Sequence, residues 1–249
     1  GFEGAWPYLQ LIAAANALAE PVAGVLPVPG SGHTALLWSG LATLAATDLT
    51  VARALEPHLD ACAILDQAGL AAPAGTWGVF AAEGPGEPLR ARATGSSYEL
   101  VGRKHWCSLA GRLDHALVSA WVGEERQLFA VDLRQPGVTA VEGVWVARGL
   151  ADVDSGPVDF DHVEAVAVGE PGWYLRRPGF AWGAMGVAAV WYGGAVGLLR
   201  TLTRAAVKRE PDQVALMHLG AADAALHRRG HDSSASRRPS AAWSRSACH

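Results

Sequence analysis

The chain has 249 residues, 50% of them hydrophobic and 18% charged, against a usual charged share of about 25%. That balance supports a sizeable core and excludes a chain disordered throughout. Three cysteines with no close pair (Cys62, Cys107, Cys248) exclude a disulfide scaffold and a zinc cluster.

The net charge of −4 is uneven. The last 22 residues carry five Arg against one Asp, whereas the other 227 carry 15 Lys and Arg against 23 Asp and Glu. A body so acidic lacks the basic footprint of a nucleic-acid binder. The chain opens on Gly1, with no basic segment leading into an apolar one, so no secretory signal is visible. A reducing, cytoplasmic setting is the expectation.

In chain order, Leu9–Ala19 reads as a helix stopped at Glu20-Pro21. A second helix is expected through Leu36, Leu37, Leu41 and Leu44, capped by Thr34 or the nearby Gly32. A third starts at Thr47-Asp48, with Val51, Ala54, Leu55, Leu59, Cys62, Ala63 and Leu65 spaced by threes and fours. Pro57 inside that run is expected to kink or divide it. Gly69, Pro73 and Gly75 close the block.

The period then changes. Tyr98–Val101, Ala116–Val122, Leu128–Val131 and Val138–Val141 are short β-prone runs, separated by Gly95-Ser96, Gly123-Glu124, Gln135-Pro136-Gly137 and Asp154-Ser155-Gly156-Pro157. Short strands with regular turns and no helices between them predict an antiparallel barrel or sandwich.

Helix returns after Gly172. Phe180–Leu199 is 20 residues without a charge, long enough to span a bilayer, and Gly193-x-x-x-Gly197 matches a membrane-helix packing motif. The dominance of Ala and Gly favours a buried soluble helix whose small face lets neighbours approach, so no membrane span is expected. An amphipathic helix follows from Asp212 to about Leu226, through Val214, Met217, Leu219 and Ala222. Residues 228–249 hold six Ser and five Arg but no Leu, Ile, Val, Phe or Met. They read as a disordered basic tail, the kind of break an out-of-register reading of GC-rich coding sequence produces.

The fold class is therefore α+β. It comprises an N-terminal helical domain (1–75), a central antiparallel β-barrel domain (76–172), a partial C-terminal helical-bundle domain (173–227) and the tail (228–249).

Among motifs for chemistry, no complete dinucleotide or P-loop glycine pattern is present, and Gly84-Pro85-Gly86 lacks its third glycine. His231-Asp232-Ser233 lacks a nucleophile elbow and lies in the tail. Glu56, His58 and Asp60 read as a solvated helix face, because positions 56 and 60 share a side while 58 points elsewhere. What remains is Gly102-Arg103-Lys104-His105-Trp106-Cys107-Ser108, an exposed basic turn followed by a large aromatic beside a small hydroxyl. A Trp plane can stack on a planar cofactor, and a Ser can hydrogen-bond a ring heteroatom. Equally, Trp106 can be a core aromatic and Cys107 a buried small hydrophobe.

Tyr98-Glu99-Leu100-Val101-Gly102-Arg103-Lys104-His105-Trp106-Cys107-Ser108 closely resembles the acyl-CoA dehydrogenase pattern Y-x-L-x-G-x-K-x-W-[IC]-[TS]. Val79–Glu83 looks like the family's strand ending in Thr-Glu. Leu128–Asp132 with Pro136-Gly137-Val138, then Val158–Val163 and Val168-Gly169, follow in the family's order. Gly179-Phe180 and Gly194–Gly197 resemble the opening of its C-terminal helical domain. The resemblance covers about residues 35 to 227.

It implies an FAD-dependent oxidoreductase that carries out α,β-dehydrogenation of an acyl-CoA thioester and is reoxidised by an electron-transfer protein. It further implies a homo-oligomer, if the helical domain were complete. Phe80, Ala81 and Ala82 would contact the flavin from their strand. Trp106 would pack against its ring, and Cys107 and Ser108 would offer backbone and hydroxyl contacts.

The departures are specific. Ala82 stands where the family has Thr, and Gly84-Pro85-Gly86-Glu87-Pro88 replaces a P-x-A-G-S stretch. Met185–Tyr192 holds no acidic residue where a catalytic base could stand, and Glu210 and Asp212 read as a solvated loop. The resemblance therefore assigns no base, and an inactive, truncated remnant of the fold is the alternative expectation.

Overall fold

A computed structural model describes residues 26–235, with side chains up to residue 227. The expected helix over 9–19 lies outside the described residues. The chain divides into two compact units, residues 1–194 and 195–249.

In the first unit, α1 (Thr34–Thr47) and α2 (Leu49–Gln67) meet at Asp48. Its backbone N–H closes α1 on the Leu44 carbonyl, while its carboxylate accepts from the N–H groups of Thr50 and Val51 at 2.9 and 3.2 Å. This single residue is the C-cap of one helix and the N-cap of the next. The cap expected at Thr34 or Gly32 is instead His33, which makes no side-chain cap bond. α2 runs undivided through Pro57, held by buried residues on both sides of it: Leu55 and Glu56 before, Leu59 and Asp60 after. Tertiary packing outweighs the proline there.

The middle of the chain forms β1 (Trp77–Phe80), β2 (Arg90–Thr94), β3 (Ser97–Lys104), β4 (His115–Val122), β5 (Glu125–Asp132), β6 (Val138–Ala140) and β7 (Val158–Val168). Pairings β4–β5, β5–β7, β7–β3, β3–β2 and β2–β4 close a ring, with β1 and β6 added on β4 and β7. The turns fall where Gly95 and Gly123 were expected to supply them, each at positive φ.

One expectation is corrected. The barrel is not wholly antiparallel, because β1 pairs parallel to β4 and β2 meets β4 parallel at Arg90 and Trp121. The β2–β3 hairpin intervenes between β1 and β4, so no local turn chemistry could reveal the pairing.

Phe80, Leu100, Val118, Phe129, Val158, Phe160 and Val163 fill the barrel. A second cluster, Ile64 and Leu65 of α2 with Trp77, Leu117, Leu128 and Val168, seals the outer face of the sheet. β4 is thus covered on both faces from Ala116 to Ala120, which is why it reads as a continuous apolar run instead of an alternating one.

After a short α3 (Trp173–Arg176) comes α4 (Phe180–Lys208). Its buried residues are Gly183, Gly186, Val190, Gly193 and Gly194, a stripe at spacings of three and four. A Cβ on Gly193 would overlap the Ala42 carbonyl of α1, and one on Gly183 would overlap the Asp60 carboxylate. The small face expected of this helix is what lets it lie against α1 and α2. By length and composition α4 is also apolar enough to cross a membrane, with mean hydropathy 1.3 over a window that is 28% buried.

The second unit holds the rest of α4 from Ala195 and α5 (Gln213–Ala235). Along α5 the partly covered side chains are Leu219, Ala222 and Leu226, whereas Val214 and Met217, expected on the apolar face, are exposed. The helical backbone passes the expected end at Leu226 and includes residues 231–233. No proline interrupts the chain between Pro211 and Pro239, so nothing in the backbone chemistry obliges the helix to stop.

Candidate functional site

β1 and β3 run in opposite directions, because β1 and β2 both lie parallel to β4 and β3 pairs antiparallel to β2, yet the segments that follow the two strands meet. Glu83, three residues past β1, meets Lys104, the last residue of β3, at 3.2 Å. A Cβ on Gly84 would overlap the His105 ring. The expected site residues are therefore gathered into one region: Phe80, Ala81 and Ala82 on one exit, Trp106, Cys107 and Ser108 on the other.

Their roles divide by burial. Phe80 and Cys107 are each only 2% exposed and belong to the barrel core. The Cys107 N–H donates to the Gly156 carbonyl at 3.0 Å and its thiol to the Lys104 carbonyl at 3.3 Å. Burial pushes that thiol up to about 12, against the pull of the nearby Lys104 cation, so it is not a nucleophile. What Cys107 does is anchor its loop.

Trp106 differs: its side of the loop is open, with 54% exposure, and its φ of 61° lies in the left-handed region. Leu109, at φ 63°, shares the distortion, and its N–H is held by the Asp154 carbonyl. A bulky residue in that conformation is strained, and such strain concentrates at ligand sites. Ala82 is likewise exposed. The Ser108 hydroxyl lies 2.7 Å from Ser155 Oγ, which itself donates to the Val153 carbonyl at 3.1 Å. Ser108 therefore spends its proton on Ser155 and keeps lone pairs, so it can accept a hydrogen bond from a ligand but not donate one.

The basic turn expected at Arg103-Lys104 is exposed only at Arg103. Lys104 is 2% exposed and donates to Glu83 Oε1 at 3.2 Å and Ser119 Oγ at 2.9 Å. Arg126 of β5 donates to the Ala81 carbonyl at 2.8 Å and pairs with Glu83 at 3.3 Å. Two cations, one carboxylate and one hydroxyl thus lock residues 81–83 from three strands. Burial lowers the Lys104 pKa, and the attraction of Glu83 opposes that shift.

This network was not legible as a site. Its only sequence signal is charged Lys104 at the end of a strand, next to the exposed Arg103, which bonds Asp159 through two parallel contacts. Lys104→Met is expected to lower stability by about 1–3 kcal/mol, because Ser119 and Glu83 lose their donor. Urea denaturation measures it, and an unchanged midpoint would remove the network's structural importance.

The solvated face expected at Glu56, His58 and Asp60 is also corrected. Glu56 and Asp60 are 6% and 9% exposed and turn toward α4 and Arg177. Arg177 donates to Asp60 at 3.1 Å and to Gln67 at 3.0 Å, and Arg53 donates to Glu56 at 3.1 Å. His58 accepts from the Trp77 N–H at 3.3 Å. Both acids are committed to arginines, and among the described residues no His, Cys, Asp and Glu group has the arrangement of a metal site.

Comparison of the sequence with known proteins finds no matching family model and no matching curated protein. Solved structures decide the fold. Butyryl-CoA dehydrogenase from Megasphaera elsdenii superposes with a TM-score of 0.64 at 19% identity, over 80% of this chain and 61% of that one. The chain has the acyl-CoA dehydrogenase fold.

The same fold relates it to an FAD-dependent dehydrogenase (TM-score 0.69, 19% identity, 86% of this chain and 69% of that one). It also relates it to FMN-bound TdsC, a dibenzothiophene monooxygenase from Paenibacillus sp. A11-2 (TM-score 0.64, 20% identity, 78% and 60%). The chain spans about three-fifths of the butyryl-CoA dehydrogenase and monooxygenase chains. Within the acyl-CoA dehydrogenase fold, the exits of β1 and β3 carry the exposed Trp106 and the braced residues 81–83.

Proposed function

We propose that the chain is a flavin-dependent oxidoreductase that uses FAD and carries out α,β-dehydrogenation of an acyl-CoA thioester. An electron-transfer protein as reoxidant, homo-oligomeric assembly and a cytoplasmic setting belong to the same reading. The observation that carries it is Trp106, an exposed indole held in a left-handed conformation beside the braced strand exit. Such a platform suits the face of a planar ring.

Trp106 would hold the ring face, the backbone of Ala81 and Ala82 its edge, and Ser108 would accept from a ring N–H. When bound, the flavin supplies the hydride acceptor. This chain's own residues position it: Lys104 and Arg126 keep the 81–83 backbone rigid, so little conformational freedom is lost on binding.

No residue here is assigned as the base. Glu83 is the carboxylate at the site, and both Lys104 and Arg126 hold it. Met185–Tyr192 offers none. That observation favours one second reading, a chain that binds flavin without turning over thioesters.

The visible absorption spectrum of the purified chain, alone and after addition of FAD, tests flavin binding. Bleaching by an acyl-CoA then separates the two readings. Trp106→Ala is expected to weaken FAD about tenfold, the equivalent of about 1.4 kcal/mol of lost stacking, with Trp106→Phe restoring most of it. A chain that takes up no flavin, or a Trp106→Ala variant that binds it unchanged, would sink the assignment.

A further inference from the structure

On the outer side of β2 and β3 lies a cavity of about 440 Å³, walled by residues 85–88 and lined by Arg90, Arg92, Gly102 and Arg103. We propose that this cavity binds a phosphoryl group, with Arg90, Arg92 and Arg103 as its guanidinium donors. Its volume is that of a small-ligand site, about 300–1,000 Å³, yet its lining is cationic on a body whose net charge is negative.

Three features make the lining a prepared site and not a chance crowding of arginines. Arg90 and Arg92 are exposed and two residues apart on β2, so they stand on one face of the sheet. Arg103 reaches the same cavity by strand alternation, two residues beyond Val101, which stands opposite Arg90, with Gly102 between them at a φ of 121°. The glycine also leaves the cavity floor free of a side chain.

Two of the three guanidiniums are already oriented while keeping donors to spare. Asp159 takes Nε and Nη2 of Arg103 at 2.6 and 2.7 Å, which leaves Nη1. The Gly123 carbonyl takes Nη1 of Arg90 at 3.1 Å, which leaves Nε and Nη2. Arg92 has no carboxylate partner among the described residues. Glu87 is the one acid in the lining, and Pro85 and Pro88 stiffen the segment that walls it. Planar, always-charged forks with unspent donors match the tetrahedral oxygens of a phosphate better than any neutral ligand.

The phosphoryl group can be carried by a flavin nucleotide or by the nucleotide carrier of a substrate, and the cavity's chemistry is the same for both. The probe is inorganic pyrophosphate, titrated calorimetrically into the chain of residues 1–249. Binding is expected, weakened tenfold or more in Arg90→Gln/Arg92→Gln and partly in Arg92→Lys. Arg200→Gln/Arg204→Gln, which removes two charges from α4, is expected to bind as wild type does. Circular dichroism checks that each variant is folded.

Competition then separates the sources. Displacement of pyrophosphate by FMN but not riboflavin assigns the site to the flavin's phosphate. Displacement by CoA but not pantetheine assigns it to a substrate carrier, and resistance to both leaves it to another phosphate ester. A folded wild-type chain that fails to bind millimolar pyrophosphate, or a double glutamine variant that binds equally well, overturns the proposal. The flavin spectrum is recorded separately, so loss of this site and loss of the redox reading cannot be confused.

Discussion

Gly193→Ala is expected to destabilise the protein by about 3 kcal/mol, although alanine is the better helix former. The new methyl group would collide with backbone, the carbonyl and Cα of Ala42 on α1. Backbone within a packed helix cannot step aside as a side-chain tip can, so α1 and α4 would have to separate. The clash must first cancel about 1 kcal/mol of gained helix propensity before any loss shows.

Two neighbouring glycines calibrate this result. At Gly194 the nearest atoms are the methyls of Leu49 at 3.0 Å, a flexible side chain, and Gly194→Ala should stay within about 1 kcal/mol of wild type. At Gly220 nothing lies within 4 Å, and Gly220→Ala in α5 should stabilise by up to about 1 kcal/mol. Denaturant unfolding of the three variants gives the ranking. Equal costs at 193 and 194 would mean that α4 does not lie against α1 as described.

The glycines of α4 also show where sequence reasoning reaches. A chargeless Ala and Gly run flanked by arginines announces a small-faced helix, and the buried stripe is that face. Strand runs and turns were legible for the same reason: alternation, Gly-containing turns and apolar runs are local properties of the chain. The parallel pairing of β1 with β4 was not, because it joins residues 38 apart along the chain, such as Trp77 and His115.

At the candidate site, the motif around Trp106 singled out one loop. It could not distinguish the exposed Trp106 from the buried Cys107, which depends on two left-handed residues and on bonds to Asp154 and Gly156. Lys104 was misjudged for a related reason. A lysine between Arg103 and His105 reads as surface, and only its distant partners Glu83 and Ser119 make burial tolerable.

The α2 acids show the same limit and lead to the second large effect. Glu56 reads as solvated because it shares a helix face with a second acid, Asp60, yet α4 covers it through glycines that leave room for its side chain. Burial is the largest influence on its carboxyl and raises it to about 7. Arg53 pulls it down, and Asp60, one turn on, pushes it further up. Burial outweighs the ion pair, because one guanidinium at 3.1 Å replaces only part of the lost hydration.

The sign follows. The folded state holds the Glu56 proton more tightly than the unfolded chain, whose carboxyl titrates near 4.5. Stability attributable to this group is therefore full below about pH 4.5 and lost as pH rises to about 7. Burial raises Asp60 as well, in the same direction, whereas it lowers His58, which acts in the opposite sense below its usual 6.5. The difference between wild type and Glu56→Gln isolates the one group. The amide keeps an acceptor for Arg53 and nearly the same volume, but it has no charge to bury.

Glu56→Gln should thus exceed wild type by no more than about 1 kcal/mol at pH 5 and by on the order of 3 kcal/mol at pH 8. Urea unfolding at pH 5, 6, 7 and 8 reads this directly. Parallel stability profiles would show that Glu56 reaches water in the folded protein, and that the glycine face of α4 does not cover it.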